Sequence, residues 1–239
     1  MKGTLINIAS VILGSVIGIL VGGRLPERMR ATVMDGLGLA TVAIGLKMTL
    51  DTTNAVIMVG SLVLGGVLGE LMDLDAAVTR LGETMERLVL GNKRLDEGSG
   101  GEKGRFAKGF VAASLLFCIG PMAIMGSIQD GLAGDYTMLS VKSMLDGFMS
   151  VLFASSFGIG VAFSVLPLTL YQGTITLLAG LLQSFLTEAM IAEFTATGGV
   201  LVFAIGLGIL GIKKIKVANL LPGVFLAPAI VYIVSDVLV

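Results

Sequence analysis

Lys142 and Asp146 stand four residues apart in "SVKSMLDGF", within an otherwise apolar stretch. On a helix that spacing puts both side chains on one face, where they can pair. Counted from an outer boundary near Met138, Asp146 lies about 12 Å deep at 1.5 Å of rise per residue. An ionisable side chain at such depth is costly, and by default it marks an ion or substrate path. The pair can act as a gate, or Asp146 can exchange a proton while Lys142 holds an anionic group. The competing reading is a structural pair, with Lys142 reaching back to the surface along its aliphatic stem.

Just upstream, "LFCIGPMAIMGSIQDGLAGDY" is the most polar sequence expected at membrane depth. Pro121 lacks an amide hydrogen and clashes with the preceding turn, so a helix through Gly120–Pro121 is kinked or interrupted. Freed backbone groups are tolerated at that depth only when buried in protein or lining a wet cavity. The break is therefore a candidate substrate contact, with a packing kink as the alternative. Ser127, Gln129 and Asp130 follow toward the outer side, as a cation-attracting mouth or as a solvated turn. Asn7, Asn54, Gln172, Gln183 and Asn219 are amides inside or beside apolar segments, suited to hydrogen bonds between helices. Asn219, ahead of Leu220–Leu221–Pro222, is also a candidate broken segment mirroring Asn54. Asp35 and Glu70 fall near span ends, where solvation explains them.

Enzymatic signatures are missing from the sequence. It has no histidine, no glycine-rich phosphate loop, no nucleophile elbow and no Cys/His metal spacing. No second carboxylate stands at the depth of Asp146. The expectation is a non-enzyme with no metal and no cofactor.

Helices in a bilayer must position these side chains. Hydrophobic residues make up 55% of the 239 and the mean hydropathy is +0.96, against roughly 45–50% apolar residues in soluble domains. The 34 glycines allow close helix approach. The lone Cys118 sits in an apolar run as core filler. The run from Thr4 to Gly23 is long for a signal peptide and lacks an A-x-A site, so it reads as a retained helix.

Crossing ~30 Å of hydrocarbon takes roughly 20 helical residues. Eight segments can supply them: 4–22, 33–50, 54–72, 106–128, 138–164, 168–186, 198–212 and 217–237. The fifth is long enough to kink, and the seventh is short. Between the third and fourth, Leu74, Val78, Leu81, Met85 and Leu88 form one apolar stripe, with Glu83 and Arg87 paired at i,i+4. That pattern fits a helix on the membrane surface or a solvated connector, ending in the flexible "GSGGEKG" at 98–104. Arginines and lysines after spans one, three and seven account for 13 of the 16 basic residues. All of them fall on one side of an eight-span chain, which by the positive-inside rule is the cytoplasm. Both termini are then outside.

"AIGL" at 43–46 returns at 204–207, "GT" opens spans one and six, and Asn54 and Asn219 stand near the starts of spans three and eight. Ordered agreement over three helices points to a repeat of spans 1–3 in spans 6–8. The offset of five spans is odd, so the copies cross in opposite directions. Inverted repeats are a recurring architecture of secondary transporters, with the substrate site near the midplane where the copies meet; duplication in a non-transporting protein is the alternative. Gly14, Gly18 and Gly22 make consecutive small-xxx-small steps, a close contact either inside the fold or across a homodimer.

The phrases "GPMAIMGSIQDG", "KSMLDG", "YQGTITLLAG" and "AIGLGILGIKKIKVANLLPG" together resemble the bacterial inner-membrane proteins of domain of unknown function family 554, the YdfK/YqgA type. The resemblance runs from Gly3 to Pro228. It implies a multi-pass protein of the bacterial cytoplasmic membrane and supplies no substrate.

The expected architecture is all-α and polytopic, with about eight transmembrane helices. Residues 1–72 form the first three-helix repeat, 73–105 a cytoplasmic amphipathic connector, 106–166 a central helix pair with the Gly-Pro break, and 167–239 the inverted second repeat. The expected function is a secondary transporter or permease for a small solute or ion, working by alternating access. A scaffold or accessory subunit whose partner docks on 73–105 is the alternative, and a small channel the third option. The partners are the bilayer and the solute, with no nucleic acid.

Overall fold

The computed structural model describes residues 1–22, 26–80, 84 and 105–237, and these are all-helical apart from turns and short links. In chain order the helices are α1 (Lys2–Gly22), α2 (Glu27–Thr49), α3 (Ala55–Leu71), α4 (Leu74–Arg80), α5 (Arg105–Cys118), α6 (Pro121–Ala133) and α7 (Thr137–Phe157). A 3₁₀ turn, Gly158–Ser164, leads to α8 (Val165–Leu177), α9 (Ala179–Phe185), α10 (Glu188–Ile209) and α11 (Val217–Val237). Five stretches are long and apolar enough to cross a membrane, or up to seven if two pairs bent by 60° each count as one span.

The helices are built inside out relative to those of a soluble protein. On α1 the buried positions are Gly3, Thr4, Asn7, Val11, Gly14, Ser15 and Gly18, which recur at helical spacing, while Leu5, Leu13, Ile17 and Leu20 are exposed. A small and polar inner stripe under a large apolar outer face suits lipid as the surrounding solvent. Asn54 caps α3, its side chain accepting from the Val56 amide at 3.1 Å, and Thr187 caps α10 through the Met190 amide at 3.2 Å. Asp73, with φ 49, makes the bend between α3 and α4, a left-handed conformation that Asp tolerates better than most residues.

Several expected boundaries shift. The seventh span, expected as a short 198–212, is the 22-residue α10. It starts ten residues earlier because Thr187 caps it and Glu193 lies fully buried in its second turn. The fourth span is interrupted between Cys118 and Pro121, and the sixth between Leu177 and Ala179. α11 runs unbroken past Pro222 and Pro228, so Asn219 marks no broken segment. Of the connector stripe, Leu74 and Val78 lie on α4; Leu81, Met85, Leu88, the Glu83–Arg87 pair and residues 98–104 lie outside the described residues.

Three glycine-lined contacts hold the bundle together. α1 packs parallel to α7: a Cβ on Gly14 would sit 2.2 Å from the Gly147 carbonyl oxygen, and one on Gly18 would sit 2.4 Å from that of Val151. Gly22 likewise abuts Ser155, so the Gly14/Gly18/Gly22 stripe is used inside the fold. α2 crosses α10 antiparallel, with Gly45 against Phe203 and Gly206 against Val42. α3 crosses α11, with Gly65 against Gly223 and Gly69 against Asn219.

The stretch Thr137–Leu177 measures 41 residues, yet it is not straight. The Asn7 amide lies 2.9 Å from Asp146 and 3.5 Å from Gln172, residues that a straight helix would hold about 39 Å apart. The chain therefore reverses at the 3₁₀ turn, and α8 returns alongside α1.

Gly14→Ala is expected to lower the thermal unfolding midpoint of the detergent-solubilised protein by several degrees, since α1 must back away from a carbonyl oxygen. Gly36→Ala on α2, where a Cβ meets nothing within 4 Å, should leave it unchanged or raise it slightly, because Ala is favoured over Gly in a helix by about 0.5–1 kcal/mol.

Candidate functional site

Lys142 and Asp146 lie one turn apart on α7, and both are buried. The Lys142 ammonium donates to Asp146 Oδ2, so the lysine head turns inward to its partner rather than out to the surface. Asn7 on α1 donates through Nδ2 to the same oxygen at 2.9 Å. Asp146 Oδ1 receives no donor from the described residues. The Asn7 amide group also faces Gln172 Oε1 on α8 at 3.5 Å, the long edge of a hydrogen bond. α1, α7 and α8 thus converge on one carboxylate.

A second carboxylate meets the N-terminal turn of α1. Asp130 on α6 accepts from the Gly3 amide at 3.0 Å and lies 2.9 Å from the Met1 nitrogen. The first turn of a helix has amides without intrahelical partners, and an acid there satisfies them and complements the dipole. Ser127 stands one turn deeper on α6, buried, with no partner for its hydroxyl among the described residues. Gln129, two residues on from Ser127, falls on the opposite side of α6 and is half-buried.

On the helices that carry or meet the two carboxylates, five buried polar atoms have no partner among the described residues: Thr4 Oγ1 and Asn7 Oδ1 on α1, Ser127 Oγ on α6, and Gln172 Nε2 and Thr176 Oγ1 on α8. They lie on three helices that pack together. Thr4 and Asn7 follow each other at i,i+3, Gln172 and Thr176 at i,i+4, and the Thr176 carbonyl lies against Gly131, next to Asp130. Sequence reading treated Asn7 and Gln172 as interhelical glue and passed over Thr4 and Thr176. The available signal was polar residues at helical spacing inside two apolar spans.

The helix break follows directly on Cys118, between α5 and α6. Gly120 has φ 149 and ψ 151, a region essentially restricted to glycine, and Pro121 starts α6 where its missing amide hydrogen costs nothing. Ile119 packs against Gly198 of α10, where a Cβ would come within 2.2 Å of it. Cys118, the last residue of α5, is close enough to Lys142 and Asp146 for their charges to act on it.

Asn219 belongs elsewhere. It donates to Glu70 Oε2 at 2.5 Å and accepts from the Asp75 amide at 2.6 Å, clasping α3, α4 and α11 at the opposite end of the bundle. Glu70 also takes Lys216 at 2.8 Å, and its hydrogen bond and charge hold the Lys216 ammonium above its ordinary pKa. A cavity of ≈ 470 Å³ opens at this end, lined by Lys108, Lys214, Lys216 and Asp75 with Met34 and Ile205 among its apolar walls.

Glu193 carries a role that sequence reading missed. Fully buried on α10, it accepts from the Thr52 and Thr53 hydroxyls and from the amides of Thr53 and Asn54 at 2.7–3.0 Å. A carboxylate with that many donors is satisfied, and it anchors the turn between α2 and α3.

The model of the family described as "Protein of unknown function (DUF554)" matches residues 2–232. The chain is 35% identical over 238 residues to "Uncharacterized membrane protein YdfK" of Bacillus subtilis (strain 168), covering 98% of this chain and 97% of the relative. It is 36% identical over 225 residues to "Uncharacterized protein YqgA" of Escherichia coli (strain K12), covering 94% of each. No solved structure matches it.

Removing one partner of a buried ion pair strands the other's charge and costs about 3–5 kcal/mol, whereas replacing both with apolar residues is often near neutral. Lys142→Met and Asp146→Leu should each strongly destabilise the protein, and the double variant should recover most of the loss in a thermal or denaturant melt.

Proposed function

Because the chain belongs to the DUF554 family of proteins of unknown function, its activity must be read from its own geometry, and we propose that it is a secondary transporter or permease for a small solute or ion. The observation that carries this reading is the Lys142–Asp146 pair surrounded by unpartnered polar atoms in the apolar interior. An unsatisfied buried polar atom costs about 1–3 kcal/mol, so groups of this kind call for a water, an ion or a solute as partner. A purely structural ion pair gives little in return. A transport pathway does need such groups, since they replace the hydration shell of whatever passes.

The inverted repeat supports the same reading. AIGL recurs at an offset of 161. Shifting α2 by 161 residues gives 188–210, against Glu188–Ile209 for α10, and shifting α3 gives 216–232, within a residue of the start of α11. Gly38 and Gly45 correspond to Gly199 and Gly206, and the contact of Gly45 with Phe203 has its counterpart in that of Gly206 with Val42. α1 then corresponds to α8 with α9. Counting α5–α6 and α8–α9 as single crossings, the reading has eight spans, with both termini outside and the lysine-lined cavity as the cytoplasmic vestibule. Alternating access is a rocking of the two copies about the Asp146 site.

Two measurements test this. In a Cys118→Ala background, single cysteines at positions 28 and 214 should both resist an impermeant thiol reagent applied to intact cells, while one at position 135 reacts; labels at 28 and 214 on opposite faces would remove the inversion. In a stabilisation screen of purified protein against ions and small solutes, a true ligand at ten times its Kd raises stability by about 1.4 kcal/mol. Asp146→Asn should abolish that gain; no stabilisation by any ligand would favour a scaffold.

A further inference from the structure

We propose that Asp146 binds a small monovalent cation in exchange for the proton of Lys142, which makes the transporter a cation–proton exchanger. This rests on the transport reading above and adds the ion and its coupling.

Donor chemistry comes first. The amide nitrogen of Asn7 must face the carboxylate, because a carboxylate only accepts. That fixes Asn7 Oδ1 as an acceptor, and it is buried without a donor. Asp146 Oδ1 receives no donor among the described residues, since Lys142 and Asn7 both use Oδ2. Two oxygens, one of them charged, are thus left for something positive. The Thr4, Ser127 and Thr176 hydroxyls are likewise unpartnered among the described residues, so that four of the five orphan atoms are oxygens, the donor type a hard cation takes, and the fifth is the Gln172 amide nitrogen. With Asp146 as its one carboxylate, such a set suits a single charge better than a divalent ion, which usually gathers several carboxylates.

The helices that carry these groups pack closely: added Cβ atoms on Gly3 and Gly126 would press on Leu139 at 2.6 and 3.0 Å, and one on Gly131 on the Thr176 carbonyl at 2.3 Å.

Lys142 supplies the coupling, because its ammonium is a tethered cation already seated on Asp146. A second cation there would put two like charges side by side in a low dielectric, and Lys142 relieves this by releasing its proton. The balance is one cation in for one proton out. The site passes from carboxylate plus ammonium to carboxylate plus cation plus neutral amine, and its net charge stays at zero. Among the described residues the other titratable groups on the helices around it are Cys118 on α5, Tyr171 on α8, itself within electrostatic reach of Cys118, and Asp130 on α6.

The full chain in liposomes with a trapped pH dye tests the exchange, with Na⁺, Li⁺ and K⁺ as probes and choline as control. At least one of the three should shift luminal pH, with no dependence on membrane potential, and choline should not. Asp146→Asn should abolish the response. Lys142→Arg keeps the charge and the pair but cannot release a proton, so it should fold, by its melting curve, and lose the response at least tenfold. A wild-type response retained in Lys142→Arg overturns the exchange. So does a wild type that passes urea or glycerol in a swelling assay without cation-linked proton movement, an outcome that leaves the transport reading intact. Flux of neither cation nor solute removes both.

Discussion

One carboxylate in the apolar interior organises the core of this protein. Asp146 cannot stand alone at that depth, and the groups that meet it come from two different helices: Lys142 from its own and Asn7 from α1. Asn7 also faces Gln172, which brings in α8. The parallel seating of α1 on α7, the reversal at Gly158–Ser164 and the return of α8 beside α1 all serve that one requirement. Asp130 repeats the logic at the helix terminus, meeting the Gly3 amide that would otherwise lack a partner.

Such polar contacts need helices closer than ordinary side chains permit. The glycines of α1 supply this against α7, with backbone carbonyls where a Cβ would stand. The crossings of α2 with α10 and of α3 with α11 are of the same kind. Association in lipid gains nothing from expelling water, so close van der Waals contact and hydrogen bonds do the holding. The outer faces of Leu, Val and Ile then meet the acyl chains and leave the polar stripe inside.

Much of this was legible before the structure. The Gly120–Pro121 interruption follows from proline chemistry, and the Lys142–Asp146 pairing from spacing alone. Other readings failed for identifiable reasons. Glu193 was passed over because nothing local announces the turn at Thr52–Asn54 that fills its hydrogen bonds. Asn219 looked like part of the membrane-depth set because apolar residues follow it, but its partners, Glu70 and Asp75, lie at the end of the bundle. Of the two readings of Ser127 and Asp130, the solvated turn fails because both are buried.

By itself the sequence determined the solvent, the helices and the residues too costly to be there without a reason. These are local sums: apolar length against bilayer thickness, periodicity against helical pitch, charge against burial. Only the tertiary structure decided which of those residues meet. Asn7 reaches Asp146 across 139 positions and Gln172 across 165, and no local pattern encodes a partner at that distance. Hydrogen-bond satisfaction depends on atoms within about 3 Å, and the chain brings them together only when its helices pack.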